Sequence, residues 1–291
     1  MAGLVAHACG VACGGFALAG SLVGQSRSNA MVSLDNLTVS YRHHPALHHI
    51  TGCFAPGSLT AVVGPNGSGK STLLKSIMGL LPLAGGQLTV SKPTGRIAYL
   101  PQVVEIERNF PINVRDCVCL GCWPLRRAWG GIDGQQLQHV DAALREVGLQ
   151  GFEHRPISSL SGGQLQRVLF ARLMVQNADL ILLDEPFNSI DSKTTAALLR
   201  IIANWHEKKH TVMVVLHDDA QVRQYFPQTL LLARELVAWG PTHRVMTQAN
   251  LATARAMAEA WDDNAGLCDM NAVTAPSLQA TSQTVLPRFG A

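Results

Sequence analysis

The sequence predicts an α/β fold with a parallel sheet at its centre, and three stretches carry that prediction. The first is Leu59-Thr60-Ala61-Val62-Val63, a short β-branched run closed by Gly64; a buried strand entering a loop reads this way. The second is Leu180-Ile181-Leu182-Leu183, ending in Asp184 and Glu185, and the third is Thr211 to Leu216, ending at His217. Continuous apolar runs mark strands covered on both faces, and ligands bind at the C-terminal ends of such strands in open α/β sheets.

Helical patterns separate these runs. After the first, Leu73, Leu74, Ile77, Met78 and Leu81 recur at helical spacing, predicting a helix from Ser71 to Leu81; Ser192 to Lys208 is amphipathic between the second and third. Upstream, Val32 to Val39 and Ile50 to Phe54 are strand-like, with turn chemistry at Ala55-Pro56-Gly57. Gly85 to Val90 and Arg96 to Leu100 read as further strands leading to Pro101-Gln102. From Asn113 to Leu149 the pattern becomes helical, with Leu137, Val140, Ala143, Leu144 and Val147 on one face, and is expected to form an insert at about 103–160. Ser161 is positioned to cap another helix carrying Leu165, Val168, Leu169 and Leu173. Leu236 to Trp239 and a helix near Leu251 to Glu259 follow, and residues 263–291 lack periodicity and are expected to be disordered.

Between the first strand and its helix lies Gly64-Pro65-Asn66-Gly67-Ser68-Gly69-Lys70-Ser71-Thr72, which fits G-x-x-x-x-G-K-[ST] in the strand-loop-helix context that motif needs. Glycines let successive N–H groups turn toward phosphate oxygens, and the helix N-terminus adds positive potential. Lys70 reaches the β- and γ-phosphates in such a loop and Ser71 offers a hydroxyl to Mg²⁺. The motif implies a nucleoside triphosphate and leaves open what its energy drives.

Composition adds bounds. A net charge of +3 with 15% charged residues and no basic stripe gives no argument for a nucleic-acid partner. Seven unevenly spaced cysteines are not a disulfide framework. Met1 to Gln25 carries no Asp, Glu, Lys or Arg and is glycine-rich. A signal peptide wants a basic n-region and a membrane span wants about 20 strongly apolar residues, so residues 1–30 are expected to be an unstructured extension, with Met31 an alternative start.

In order, the motifs are Gly64 to Thr72, Gln102, Leu160-Ser161-Gly162-Gly163-Gln164, Leu180 to Glu185, Asn188 to Asp191, and His217. Over roughly residues 31–245 this resembles the ATP-binding cassette ATPase family: respectively the Walker A loop, Q-loop, signature, Walker B strand, D-loop and H-loop. The resemblance implies a P-loop core with a parallel sheet, an antiparallel β subdomain and an inserted helical subdomain, the cassette spanning 31–262. It implies ATP and Mg²⁺ as cofactors, with Ser71, Gln102 and Asp184 at the metal, Glu185 as general base, and Gln102, His217 and Lys70 at the γ-phosphate. Ser161, Gly162, Gly163 and Gln164 would complete the site of a second copy in a head-to-tail homodimer, with Asp191 across that interface. Tyr41 fits the adenine-stacking aromatic, though an isolated tyrosine is more often a packing residue. Two departures are Ile190 where Leu is common and Asp218-Asp219 after the H-loop histidine.

The segment Val104 to Asp116, with its acidic stretch leading into Phe110-Pro111 and Val114-Arg115-Asp116, is similar to the region after the Q-loop in zinc and manganese importer ATPases. Siderophore and haem importer ATPases are the alternative, and a soluble cassette ATPase acting on nucleic acid or ribosomes the reading from another class. The importer reading implies an integral-membrane permease, a periplasmic or extracellular metal-binding protein, and a peripheral position on the cytoplasmic face of the membrane. Cys117, Cys119 and Cys122 follow directly, and His43, His44, His48 and His49 cluster upstream. The cysteines are expected to be buried small hydrophobes and the histidines an exposed loop, with a metal-sensing role as the competing reading.

Overall fold

The computed structural model describes residues 30–41, 44–92, 96–102, 107, 110–125, 132–188 and 190–260. The expectations for residues 1–29 and 261–291, and for His43, lie outside these.

Two sheets organise the chain. Strands β1 (Val32–Tyr41), β2 (His44–Phe54) and β4 (Gly85–Val90) form an antiparallel sheet in the order β2-β1-β4. Strands β3 (Leu59–Val63), β5 (Ile97–Leu100), β6 (Leu180–Asp184), β7 (Thr211–Val215), β8 (Gln228–Ala233) and β9 (Glu235–Pro241) form the second, in the order β5-β6-β7-β3-β8-β9. All neighbours in this sheet are parallel except β8 and β9. The fold is therefore α/β, as expected, with β1, β2 and β4 forming a separate antiparallel sheet.

β3, β6 and β7 are buried at every position, because they are covered on both faces. Leu59, Ala61 and Val63 join a core shared with the helices between β5 and β6, while Val62 joins one shared with the antiparallel sheet and α1 (Lys70–Ile77). Between β5 and β6 lie α2 (Val114–Cys119), a 3-10 stretch (Leu120–Leu125), α3 (Gly134–Glu146) and α4 (Gly162–Gln176). The other helices are α5 (Ser192–Glu207), α6 (Asp219–Tyr225), α7 (Thr242–Val245) and α8 (Gln248–Glu259). No helix among the described residues is long and apolar enough to cross a membrane.

Three features depart from expectation. α1 stops at Ile77, because Gly79 turns the chain with φ 74°, so Leu81 lies beyond it. β8 is a buried strand inside the sheet that the sequence pattern did not reveal, although Leu230 to Ala233 is apolar and lies shortly after Pro227. His48 and His49 belong to β2 and not to a loop. A β-bulge is the reason: the pairing of β1 with β2 slips between Leu37 and Val39, and His49 sits there at φ 54°, which breaks the alternation that a strand pattern needs.

Candidate nucleotide site

The loop after β3 is shaped by close backbone approaches. Gly69 precedes α1 at φ 91°, and a Cβ there would lie 2.4 Å from both the Ala46 carbonyl oxygen and Leu47 Cδ2. Gly64, at φ 149°, would meet the Leu232 carbonyl oxygen at 2.0 Å. Only glycine fits either position. Lys70 folds back over the loop, its Nζ donating to the carbonyls of Gly64 (2.9 Å) and Pro65 (2.8 Å). Burial pushes its pKa down, while the charges of Glu185 and Asp184 push it back up. Asn66 and Gly67 are exposed at the tip, Ser68 is buried beneath it, and Ser71 and Thr72 lie in the first turn of α1.

Three neighbouring strands deliver side chains to the same edge. Asp184 ends β6, 1% exposed, and accepts a hydrogen bond from Ser71 Oγ at 3.0 Å. The helix hydroxyl and the strand carboxylate are thus already adjacent, presenting hard oxygen donors of the kind a magnesium ion takes. Glu185 follows at φ 50°, a left-handed conformation that costs a non-glycine residue about 1–3 kcal/mol and clusters at functional sites. The twist brings Glu185 Oε1 to 2.5 Å from His217 Nε2, beyond the end of β7, while Asn188 Nδ2 donates to Oε2 at 3.3 Å. A carboxylate held at both oxygens is fixed in direction, as a proton acceptor should be. Cavities of about 160 Å³ and 240 Å³ open here, the first lined by Glu185, Asn188 and His217, the second by Gly64, Pro65 and His217. Asp218, unexpected beside the histidine, caps α6 by accepting from the N–H groups of Ala220 (2.8 Å) and Gln221 (3.3 Å).

Gln102 lies two residues beyond β5, half-buried, and β5 pairs with β6 up to Leu100 and Leu183, so it stands at the same sheet edge. Tyr41 closes β1, and its side chain lies outside the described residues. Ser161 caps α4 in a capping box: its Oγ accepts from Gln164 N–H at 3.3 Å, and Gln164 Oε1 accepts from Ser161 N–H at 2.9 Å. Gly162 begins that helix. A Cβ on Gly163 would stand 3.8 Å from Asp191 Oδ2, so these two segments of one chain are neighbours. Asp191 caps α5, accepting from Thr194 N–H at 2.9 Å and Thr194 Oγ1 at 2.7 Å; these bonds hold its carboxyl below the usual range.

The ABC transporter family profile matches residues 47–188. The manganese transport system ATP-binding protein MntB of Listeria monocytogenes is 40% identical over 225 residues, covering 76% of this chain and 94% of that protein. This chain belongs to the ABC transporter family. As a cassette of that family it binds and hydrolyses ATP. The zinc transport system ATP-binding protein TroB of Treponema pallidum is likewise 40% identical, over 75% of this chain and 84% of its own length. Among solved structures, an inward-facing ABC transporter described as metal-chelate type superposes with a TM-score of 0.70 at 28% identity, covering 78% of this chain and 90% of that one. A dimeric ATP-binding cassette in a post-hydrolysis state with ADP and Pi superposes at 0.65 and 26% identity, covering 73% and 99%.

Within the cassette, the cysteines behave as packing groups. Cys117, Cys119 and Cys122 are 6%, 9% and 1% exposed in the core around α4, and no cluster of three metal-ligating side chains occurs among the described residues. Burial pushes the Cys117 thiol up, and burial with the neighbouring Cys122 and Asp116 pushes Cys119 up to about 11. Both effects favour the protonated thiol, and burial shields the sulfurs from reagents. Iodoacetamide at pH 7.5 should label Cys117 and Cys119 in denatured protein and spare them in folded protein, as read by peptide mass spectrometry; rapid labelling of the native fold would contradict this packing. His48 and His49 instead make polar contacts, with Glu235 Oε1 at 3.0 Å and Asn36 Oδ1 at 2.5 Å.

Proposed function

We propose that this cassette is the ATP-hydrolysing subunit of a metal-ion importer, with zinc or manganese as cargo. The observation that carries the cargo is 40% identity across nearly the whole length of relatives named manganese and zinc transport system ATP-binding proteins. Its partners are an integral-membrane permease and a metal-binding protein outside the cell, and it acts on the cytoplasmic face of the membrane.

The residues take distinct parts in the reaction. The loop Gly64 to Thr72 binds the triphosphate through backbone N–H groups, and Lys70 exchanges its two carbonyl partners for β- and γ-phosphate oxygens. Glu185 accepts a proton from the attacking water, and His217, hydrogen-bonded to it, keeps that carboxylate aimed at the γ-phosphate. Gln102 stands where the γ-phosphate meets the chain leading into the helical insert. Ser71 and Asp184, with Gln102, would hold Mg²⁺, which when bound neutralises charge on the phosphates. Ser161 to Gln164 of one copy reach the nucleotide on the other, since a capped helix N-terminus with Gly163 close by suits a phosphate. The dimeric form of a related cassette supports this arrangement.

The test is metal accumulation in a deletion strain. Wild type should restore uptake of zinc or manganese and Glu185→Gln should not. Full uptake by that variant, or no metal defect in the deletion strain, would overturn the reading.

A further inference from the structure

The phosphate loop is supported from behind by residues outside every motif named above. Arg234, in the turn between β8 and β9, sits at φ 61°, and its N–H donates to the Ser68 carbonyl at 3.0 Å. The Arg234 carbonyl accepts from His48 N–H at 2.8 Å, and its Nη1 donates to the Pro45 carbonyl at 3.4 Å. One residue therefore joins the loop to β2. The approaches of Leu232 to Gly64 and of Ala46 to Gly69 involve the same two strands, so β8 and β2 press on opposite ends of the loop while Arg234 holds its middle. Ser68 Oγ is buried and makes no hydrogen bond to a described residue; the bond from Arg234 reaches Ser68 through its backbone. The turn itself is pinned by Glu235, whose Oε1 lies 3.0 Å from His48 Nδ1, the histidine being 14% and the carboxylate 43% exposed.

We propose that the His48–Glu235 pair is a positioning element for the phosphate loop. It fixes the Arg234 peptide, which sets where Ser68 stands and so how well the loop's N–H groups meet phosphate. The inference rests on Gly64–Thr72 being the ATP-binding loop. Because Glu185 and His217 are at the ends of other strands, this support governs ATP affinity and not the chemical step.

The test uses the full-length chain with MgATP, measuring ATP affinity by calorimetry and steady-state hydrolysis side by side. Glu235→Ala should raise Kd and KM for ATP by about two- to fivefold, the range expected on losing one partly exposed hydrogen bond, with kcat within a factor of two. Glu235→Gln keeps an acceptor for His48 and should return KM to the wild-type value. The inference is overturned if Glu235→Ala leaves KM and Kd unchanged, if it lowers kcat without moving KM, or if Glu235→Gln is as impaired as Glu235→Ala. Lys70→Ala separates the two levels of the argument. If it still binds ATP normally, the reading of the loop fails and the role of the turn, which rests on it, fails with it; if Lys70→Ala loses ATP while Glu235→Ala changes nothing, only the role of the turn fails.

Discussion

Glu185→Gln is expected to lower kcat for ATP hydrolysis by about 10²- to 10⁴-fold, the range that a positioned general base supplies, while ATP binding persists. The substitution is nearly isosteric: the amide oxygen can keep the contact with His217 Nε2 at 2.5 Å, and the amide NH2 then faces Asn188, whose side-chain amide turns over to accept from it. What disappears is the ability to accept a proton at the γ-phosphate. In the proposed function binding depends on the backbone N–H groups of Gly64 to Thr72, while Glu185 acts on the attacking water. Single-turnover hydrolysis with parallel ATP titration measures both quantities. Retention of more than a tenth of the wild-type rate would remove Glu185 from the chemistry. His217→Ala should show a similar but smaller loss, because it aims the carboxylate without replacing it.

Gly69→Ala is expected to abolish ATP binding and to destabilise the fold by about 2–5 kcal/mol. The left-handed backbone costs an alanine about 1–2 kcal/mol, and overpacking adds about 1–3 kcal/mol. The overpacking here is against the Ala46 carbonyl at 2.4 Å, a backbone group that cannot swing aside. Relief requires β2 and the loop to part, and the N–H groups then lose their common focus. Gly67→Ala is the control: it shares a positive φ of 74° but its Cβ would meet nothing within 4 Å among the described residues, so it should pay only the backbone cost. Thermal unfolding and ATP titration compare the two. Equal effects at both positions would contradict the packing explanation.

Much of the core was legible because burial on both faces writes an uninterrupted signal. β3, β6 and β7 read as apolar runs, and their C-terminal residues are where Ser71, Asp184, Glu185 and His217 come together. β8 was hidden since a short apolar run has no period of its own, and Gln228 at its start looks like loop. The bulge at His49 concealed half of β2 by putting two polar residues in sequence. The backing of the phosphate loop was illegible for another reason. Arg234 acts on Ser68 through peptide groups, which carry no trace of residue type. The Glu185–His217 contact joins positions 32 apart, and spacing alone does not predict a distance.

The strand order β5-β6-β7-β3-β8-β9 also governs how the molecule comes into being. β3 lies between β7 and β8, both made some 150 residues later on the basis of their ranges, so the loop is synthesised early and, although β2 already precedes it, β3 lacks both of its sheet neighbours until nearly all of the sheet exists. Such long-range pairing slows folding. An emerging chain therefore cannot consume ATP before its last strands are in place, and the sheet's topology ties the onset of hydrolysis to completion of the fold.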